Sequence, residues 1–459
     1  MKETLQDLTI RDELSEQANH LVFYIENNEK NAFLDSFDEL HKYDQAVFYI
    51  SLTTQLRHQI IKWVTPTELA DIFDEIDQED VDFENLLSEM APRYAANMLS
   101  DMYTDNAVDL LSQVEPEELA MYLSLMPKDS MDEIKRLLKY EDDTAGSLMS
   151  TEFISINQKL TIGEAMVVVK EAAQGAEQIN YIYVLDDEGA LVGVISLKSL
   201  IIWPDAAKIS EVMDTNLITV GPVDDQEDVA KIMADYNFVA LPVVAKHNMI
   251  GMITVDDIVD VIDAEAAEDY SRLAGVDVVT LEDNPLKSAL KRLPWLIGLI
   301  FLGMGTASVI DGYNYLVAET SILAVFISLI TGTAGNAGTQ SLAVAVRRIA
   351  LKEKKTLAKS LLVEILIGLM IGIIAGVTIF LVILVWKHNL LLGIAVGLAM
   401  GVAILVANVA GAFIPMIMDK VGVDPAVASG PFISTLSDLT SVIIYFNVAK
   451  LFIDKFMMH

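Results

Sequence analysis

The 459-residue chain carries 66 Asp and Glu against 31 Lys and Arg, for a formal net charge of −35, and it has no cysteine. A surface so acidic repels nucleic acid and anionic headgroups and calls for cations, while the missing thiols exclude disulfides, zinc thiolates and cysteine nucleophiles and fit a reducing cytosolic face. The acidity is confined: 18 Lys and Arg stand against 58 Asp and Glu up to residue 284, and 13 against 8 beyond it. The opening MKETLQDLTIRDE has neither the basic nor the apolar region of a signal peptide. Farther on, YAANMLSDM from Tyr94, NAVDLLSQV from Asn106 and ELAMYLSLM from Glu118 repeat every 12 residues with Leu99, Leu111 and Leu123 in register. Their apolar residues recur at helical spacing, Thr104 suits a helix cap and Pro116 a first turn. Residues 1–140 are therefore expected to be an acidic, all-helical superhelix.

A second repeat follows. SLMSTEFISINQ from Ser147 pairs with EVMDTNLITVGP from Glu211, and YIYVLDDEGALVGVISLKSL from Tyr181 pairs with LPVVAKHNMIGMITVDDI from Leu241. Short β-branched runs bounded by turn residues such as Asp187, Glu188 and Gly189, with LTIGEAMVVVKEA between them, predict strand, helix, strand, strand, helix in each copy. The tandem pair, over 141–205 and 206–265, resembles cystathionine-β-synthase (CBS) domains. That resemblance implies a cleft that binds adenine nucleotides such as ATP. In the family's ribose-binding pattern, Gly251, Thr254 and Asp257 fit in the second copy, whereas the first copy has Gly193 and Ser196 but Ser199 in place of the acid. Asp257 is equally placed to cap a helix beginning near Val255.

The next segment, VDDIVDVIDAEAAEDY from Val255 to Tyr270, crowds Asp256, Asp257, Asp260, Asp263, Glu265, Glu268 and Asp269 onto a few helical turns, where like charges destabilise one another. A connecting helix is expected over 266–290. Beyond it lie five apolar runs long enough to cross a hydrocarbon core of about 30 Å: near 294–310, 322–346, 361–386, 390–418 and 425–452. The strongly basic loop RRIALKEKKTLAK should be cytoplasmic, which puts the acidic half in the cytosol and the C-terminus outside. Gly332, Gly335 and Gly338 are expected to interrupt the second span and free carbonyls, beside Asn336, for an ion or its water. Asp438 lies deep in the last span among Ser434, Thr435, Ser437 and Thr440, and an intramembrane carboxylate marks a functional site. Mg²⁺ dehydrates reluctantly, so one or two carboxylates holding its waters suit conduction. Glu364 and Asn408 read equally as packing glue or pore lining, and Gly368, Gly372 and Gly376 as close helix packing.

The order helical domain, CBS pair, connecting helix and five-helix transmembrane domain (291–459), with GTAGNAGTQS from Gly332 and GVDPAVASGPFISTLSDLTS from Gly422, resembles the MgtE magnesium transporter family over essentially the whole chain. The fold class expected is a multidomain α plus α/β membrane protein. The resemblance implies a homodimer in the bilayer whose central pore carries hydrated Mg²⁺ inward, closed by cytosolic Mg²⁺ as negative feedback, with no enzymatic activity. It implies a Mg²⁺ cluster of Glu265, Glu268 and Asp269 with Asp424, further acids Asp225 and Glu227 in the second CBS copy, and Asp105 and Asp109 meeting Asp257, with Asp260 in the same acidic run. Asn237 stands where the family leads one to expect Asp. A membrane hydrolase is disfavoured because there is no HExxH and no histidine in a span core. A non-conducting nucleotide receptor, or a channel for Co²⁺ or Mn²⁺, remains as an alternative.

Overall fold

The structure is a computed structural model and describes residues 12–76, 81–276, 285–319, 321–350 and 357–452. It comprises two compact units, Met1–Asp263 and Ala264–His459. In the first, ten helices are described before any strand: α1 (Asp12–Glu26), α2 (Lys30–Phe37), α3 (Lys42–Ser51), α4 (Thr54–Ile61), α5 (Pro66–Phe73), α6 (Phe83–Ser88), α7 (Pro92–Asp101), α8 (Thr104–Ser112), α9 (Pro116–Leu125) and α10 (Lys128–Leu137). Prolines open α5, α7 and α9, where the missing N–H costs nothing. The 12-residue register is the core: Leu99, Leu111 and Leu123 are all buried. Thr104 departs from expectation, because α8 is capped at Tyr103 and the threonine side chain turns to Thr151 and Glu152 instead.

The tandem repeat forms two βαββα copies. The first holds β1 (Ser155–Asn157), α11 (Ile162–Ala172), β2 (Tyr181–Leu185), β3 (Leu191–Ser196) and α12 (Leu197–Ile202); after a short helix α13 (Ile209–Val212), the second holds α14 (Gln226–Tyr236), β4 (Ala240–Ala245), β5 (Asn248–Thr254) and α15 (Val255–Ala274). β1 runs parallel to β2, and β2 antiparallel to β3 with Ile182 opposite Ile195. In the second copy the leading strand is reduced to a parallel bridge from Val220 to Val243, and β4 pairs antiparallel with β5. The copies exchange their lead-in segments. Ser150 bridges Met252, and Asp214 bridges Val194. A side chain at Gly251 would meet Met149 and the Ser150 carbonyl, and one at Gly193 would meet Met213 and the Asp214 carbonyl. Both glycines are therefore required for packing, whether or not a ribose binds.

In the second unit five helices are long and apolar enough to cross a membrane. They are α16 (Pro285–Gly312) and, after the short α17 (Asn314–Glu319), α18 (Ile322–Ala350), α19 (Leu357–Lys387), α20 (Leu390–Val421) and α21 (Gly430–Lys450), the last preceded by a 3₁₀ turn, Pro425–Val427. Of the connecting helix expected over 266–290, residues 277–284 lie outside the described residues; the rest belongs to the end of α15 and the start of α16. α20 is central, burying Val396, Ala399, Ala403 and Ala407 against α18 and α21. The expected interruption of the second span is not found, since α18 is continuous through Gly332, Gly335 and Gly338. Gly332 faces open space, whereas Gly335 and Gly338 permit close approach: a side chain at Gly335 would strike Ser434, one at Gly338 would strike Ser437, and Gly411 lies against the Gly338 carbonyl. Gly372 and Gly376 likewise face the carbonyls of Gly401 and Gly397, as small-residue helix packing requires.

Candidate functional site

In the first unit, Asp105 comes from the first turn of α8, Glu177 from the loop after α11 and Asp257 from the first turn of α15, and their ligand oxygens all lie within 4.8 Å of one another. Each is fixed locally. Asp105 accepts from the Asn106 N–H at 2.9 Å. The loop bearing Glu177 is pinned where the Glu177 N–H donates to the Glu152 carbonyl at 3.1 Å. Asp257 accepts at Oδ2 from both the N–H (3.2 Å) and hydroxyl (2.6 Å) of Thr254, the residue before α15. The capping role and the cluster role of Asp257 thus coexist. In the first copy the matching position, Ser199, pairs its hydroxyl with that of Ser196 at 2.9 Å.

Asp105 is buried, and Oε2 of Glu177 is buried without a hydrogen-bond partner. Burial followed by the charge of Asp257 pushes the Asp105 carboxyl well above the ordinary carboxylate range. Burial, reinforced by Asp257, Asp256 and Glu152, raises Glu177 to about 7. Burial and the charges of Asp256 and Asp260 raise Asp257 to about 6, against the pull of Thr254. Behind the trio, burial raises Asp74 to about 7; it accepts from the Tyr103 N–H and from the Asn106 amide at 3.1 Å each. Three carboxylate oxygens at this spacing fit a hard divalent cation. Octahedral Mg²⁺ with bonds of about 2.1 Å sets ligand oxygens about 3 to 4 Å apart, so a small contraction or one retained water closes the site.

The remaining expected ligands of this unit lie elsewhere. Asp109, one turn after Asp105, is half-buried and not in the trio, whereas Asp225, Glu227 and Asp260 are exposed. Asp225 caps α14, accepting from the Glu227 N–H at 2.9 Å. Asn237 ends the same helix at φ 53°, a left-handed position that asparagine tolerates better than most residues. Glu177 and Glu152 escaped the sequence reading. Both sit singly in loops, and no periodicity or motif marks them.

In the second unit, Asp438 is half-buried midway along α21 and makes no hydrogen bond or ion pair among the described residues. Of the hydroxyls around it, Thr435 donates to the Pro431 carbonyl and Thr440 to those of Leu436 and Ser437, while the buried Ser437 hydroxyl has no partner among the described residues. Asn336 is exposed on α18, beside Gly335, which packs on Ser434. Glu364 and Asn408 prove to be partners. The Asn408 amide donates to the carbonyl and Oε2 of Glu364 at 3.0 Å each, Ser341 donates to Oε2 at 3.1 Å, and Arg348 pairs with Oε1 at 2.9 Å. This buried network ties α18, α19 and α20 together. Of the acidic run, Glu265, Glu268 and Asp269 are half-buried on α15, and Arg272 is ion-paired to both Glu268 and Asp424. Burial pushes the Asp269 carboxyl up, and Arg272 pulls it partly back.

Residues 327–448 match the family model described as a divalent cation transporter (MgtE), residues 40–143 that of the MgtE intracellular N domain, and 145–204 and 209–264 each that of a CBS domain. The magnesium transporter MgtE of Enterococcus faecalis is 54% identical over 448 residues, covering 97% of this chain and 99% of its own. That of Bacillus subtilis is 34% identical over 441 residues, covering 95% and 97%. Two crystal structures resemble the soluble part. One, of the soluble part of a magnesium transporter, is 46% identical with a TM-score of 0.54 and covers 55% of this chain and 99% of its own. The other, of the cytosolic domain of the Mg²⁺ channel MgtE in complex with ATP, is 29% identical with a TM-score of 0.50 and covers 53% and 99%. With identity at that level over nearly all of its length, and with helical, CBS and membrane segments matched in order, the chain belongs to the MgtE family of magnesium transporters.

Proposed function

We propose that the chain carries Mg²⁺ across the cytoplasmic membrane through its five-helix unit, that Asp438 is the carboxylate that holds the ion, and that cytosolic Mg²⁺ closes the path by binding the acidic residues of the soluble half. The observation that carries this reading is Asp438, a carboxylate within a span that makes no hydrogen bond or ion pair among the described residues, so that its oxygens are left for an ion or its waters. Two copies would place a pair of Asp438 and Asn336 along a shared pore, and two carboxylates holding a hydrated ion suit a cation that must also leave. The basic loop at 347–359 argues for the soluble half lying in the cytosol and the C-terminus outside.

Feedback follows from the buried trio. Without cation, Asp105 on the helical domain and Glu177 and Asp257 on the CBS pair repel one another. A bound Mg²⁺ holds the two domains together, and only a state that assembles the site gains that affinity. Glu265, Glu268, Asp269 and Asp424 form a second Mg²⁺-responsive group at the end of α15, with Asp225, Glu227, Asp109 and Asp260 as outlying acids. ATP binds at the second CBS copy through Thr254 and Asp257, a reading supported by the ATP complex of the relative's cytosolic domain. Mg²⁺ flux into proteoliposomes tests the first claim: Asp438→Ala should abolish it while assembly in detergent persists, and unchanged flux would remove Asp438 from the path. Isothermal titration tests the last: ATP heat should vanish with Thr254→Ala and survive Ser199→Ala.

A further inference from the structure

Helix α15 ends in a fixed manner. The Val276 N–H donates to the Ser271 carbonyl and the Gly275 N–H to that of Arg272, each at 2.9 Å, with Gly275 at φ 72°. This is a Schellman ending, in which a left-handed glycine satisfies the last carbonyls. Trp295 and Ser429 close on Gly275, and Leu273 packs with Leu342, Ala428 and Ile433. Arg272 is thereby held in the last helical turn with its guanidinium between Glu268, one turn back, and Asp424, just before the 3₁₀ turn that leads into α21.

We infer that Arg272 is a tethered cation that occupies these carboxylates when no divalent cation is bound, and that it sets the Mg²⁺ concentration at which flux is inhibited. The inference rests on the reading above that Glu268 and Asp424 respond to Mg²⁺. A guanidinium and a metal ion drawn to the same two carboxylates repel each other and compete for their lone pairs. Mg²⁺ therefore binds best once Arg272 has moved off, and its doubled charge wins only above a concentration fixed by the strength of the two ion pairs. The pairs are of intermediate exposure, Arg272 at 38% and its partners at 29% and 30%, so they are strong enough to compete and weak enough to yield. The arginine also limits mutual repulsion among Glu265, Glu268, Asp269 and Asp424 in the Mg²⁺-free state.

The test is Mg²⁺ flux into proteoliposomes of the full chain, measured against Mg²⁺ on the cytoplasmic face, for wild type, Arg272→Gln and Arg272→Lys. Removing the competitor should lower the inhibitory midpoint ~3- to 5-fold in Arg272→Gln, the scale of one partly exposed ion pair. The lysine keeps the charge but reaches one carboxylate at a time, so its shift should be smaller and in the same direction. Protease protection of residues 264–276 by Mg²⁺ in detergent should follow the same order. Midpoints at or above the wild-type value in both variants and both assays would overturn the inference. Glu268→Gln and Asp424→Asn separate the two levels of the argument. If they retain wild-type Mg²⁺ dependence, the sensing role of this group fails; if they alter it while both arginine variants do not, only the competition fails.

Discussion

Asp257 illustrates how one carboxylate can serve a helix end and a proposed ion site together. Its Oδ2 takes both donors of Thr254, which orients the side chain, while burial beside Asp105 and Glu177 keeps it costly to ionise. The sign of the pH dependence follows. These acids titrate higher in the folded, metal-free unit than in an unfolded chain, so their contribution to stability is complete below about pH 4, the ordinary carboxylate value, and is lost as pH rises through about 6 to 7. Mg²⁺ bound at the proposed site would displace those protons. Its binding at pH 6.5 should release protons, seen as a buffer-dependent heat in calorimetry, and its affinity should rise about tenfold or more between pH 5.5 and 7.5. Glu177→Gln should reduce the release, and a pH-independent affinity would argue against the trio. The proximity of Asp105 and Asp257 was legible from the family resemblance, but that of Glu177 was not, because only the fold of the loop after α11 brings it there. Asp438 stands out from chemistry alone, as a charge in an apolar run, and its role in conduction is the proposal to be tested. Asp438→Asn keeps the size but not the charge, so Mg²⁺ flux should fall at least tenfold and discrimination against monovalent ions should weaken.

At the scale of elements, periodicity carried most of the information. The leucine register, the paired CBS copies and the five spans each follow from apolar spacing or length. Spacing could not reveal what a glycine touches. Gly335 and Gly338 suggested a broken helix, yet α18 is intact because its carbonyls are satisfied internally and the missing side chains admit α20 and α21. The repeated Gly193 and Gly251 suggested a ribose, yet each also makes room for a methionine from the other copy's lead-in. Likewise Glu364 and Asn408 resolve as glue across three spans. Glu364→Ala should therefore cost about 3–5 kcal/mol of stability by stranding Arg348, read as earlier thermal loss of the folded peak in detergent. The double variant with Arg348→Ala should recover part of it. Loss of flux without loss of stability would favour a pore-lining role instead.

At the scale of the whole molecule, the division of charge frames the function. The acid is concentrated ahead of the five helices long and apolar enough to cross a membrane, and the proposed orientation would set it where cytosolic cation can be measured. Composition made that division visible, but not the internal cation Arg272, which is one arginine in an acidic run until the fold brings Asp424 to it. Neutralising Glu265, Glu268 and Asp269 together should raise the Mg²⁺ needed for half-inhibition and flatten the response, because each ion gained on closing contributes in proportion to the logarithm of its concentration. The central claim is that one chain both passes Mg²⁺ and is shut by it. Reconstituted flux with Mg²⁺ titrated on the cytoplasmic face tests this most directly. The account predicts uptake that is high at micromolar Mg²⁺, falls cooperatively as Mg²⁺ rises toward millimolar, and vanishes in Asp438→Ala at every concentration; uptake independent of cytosolic Mg²⁺ would contradict it.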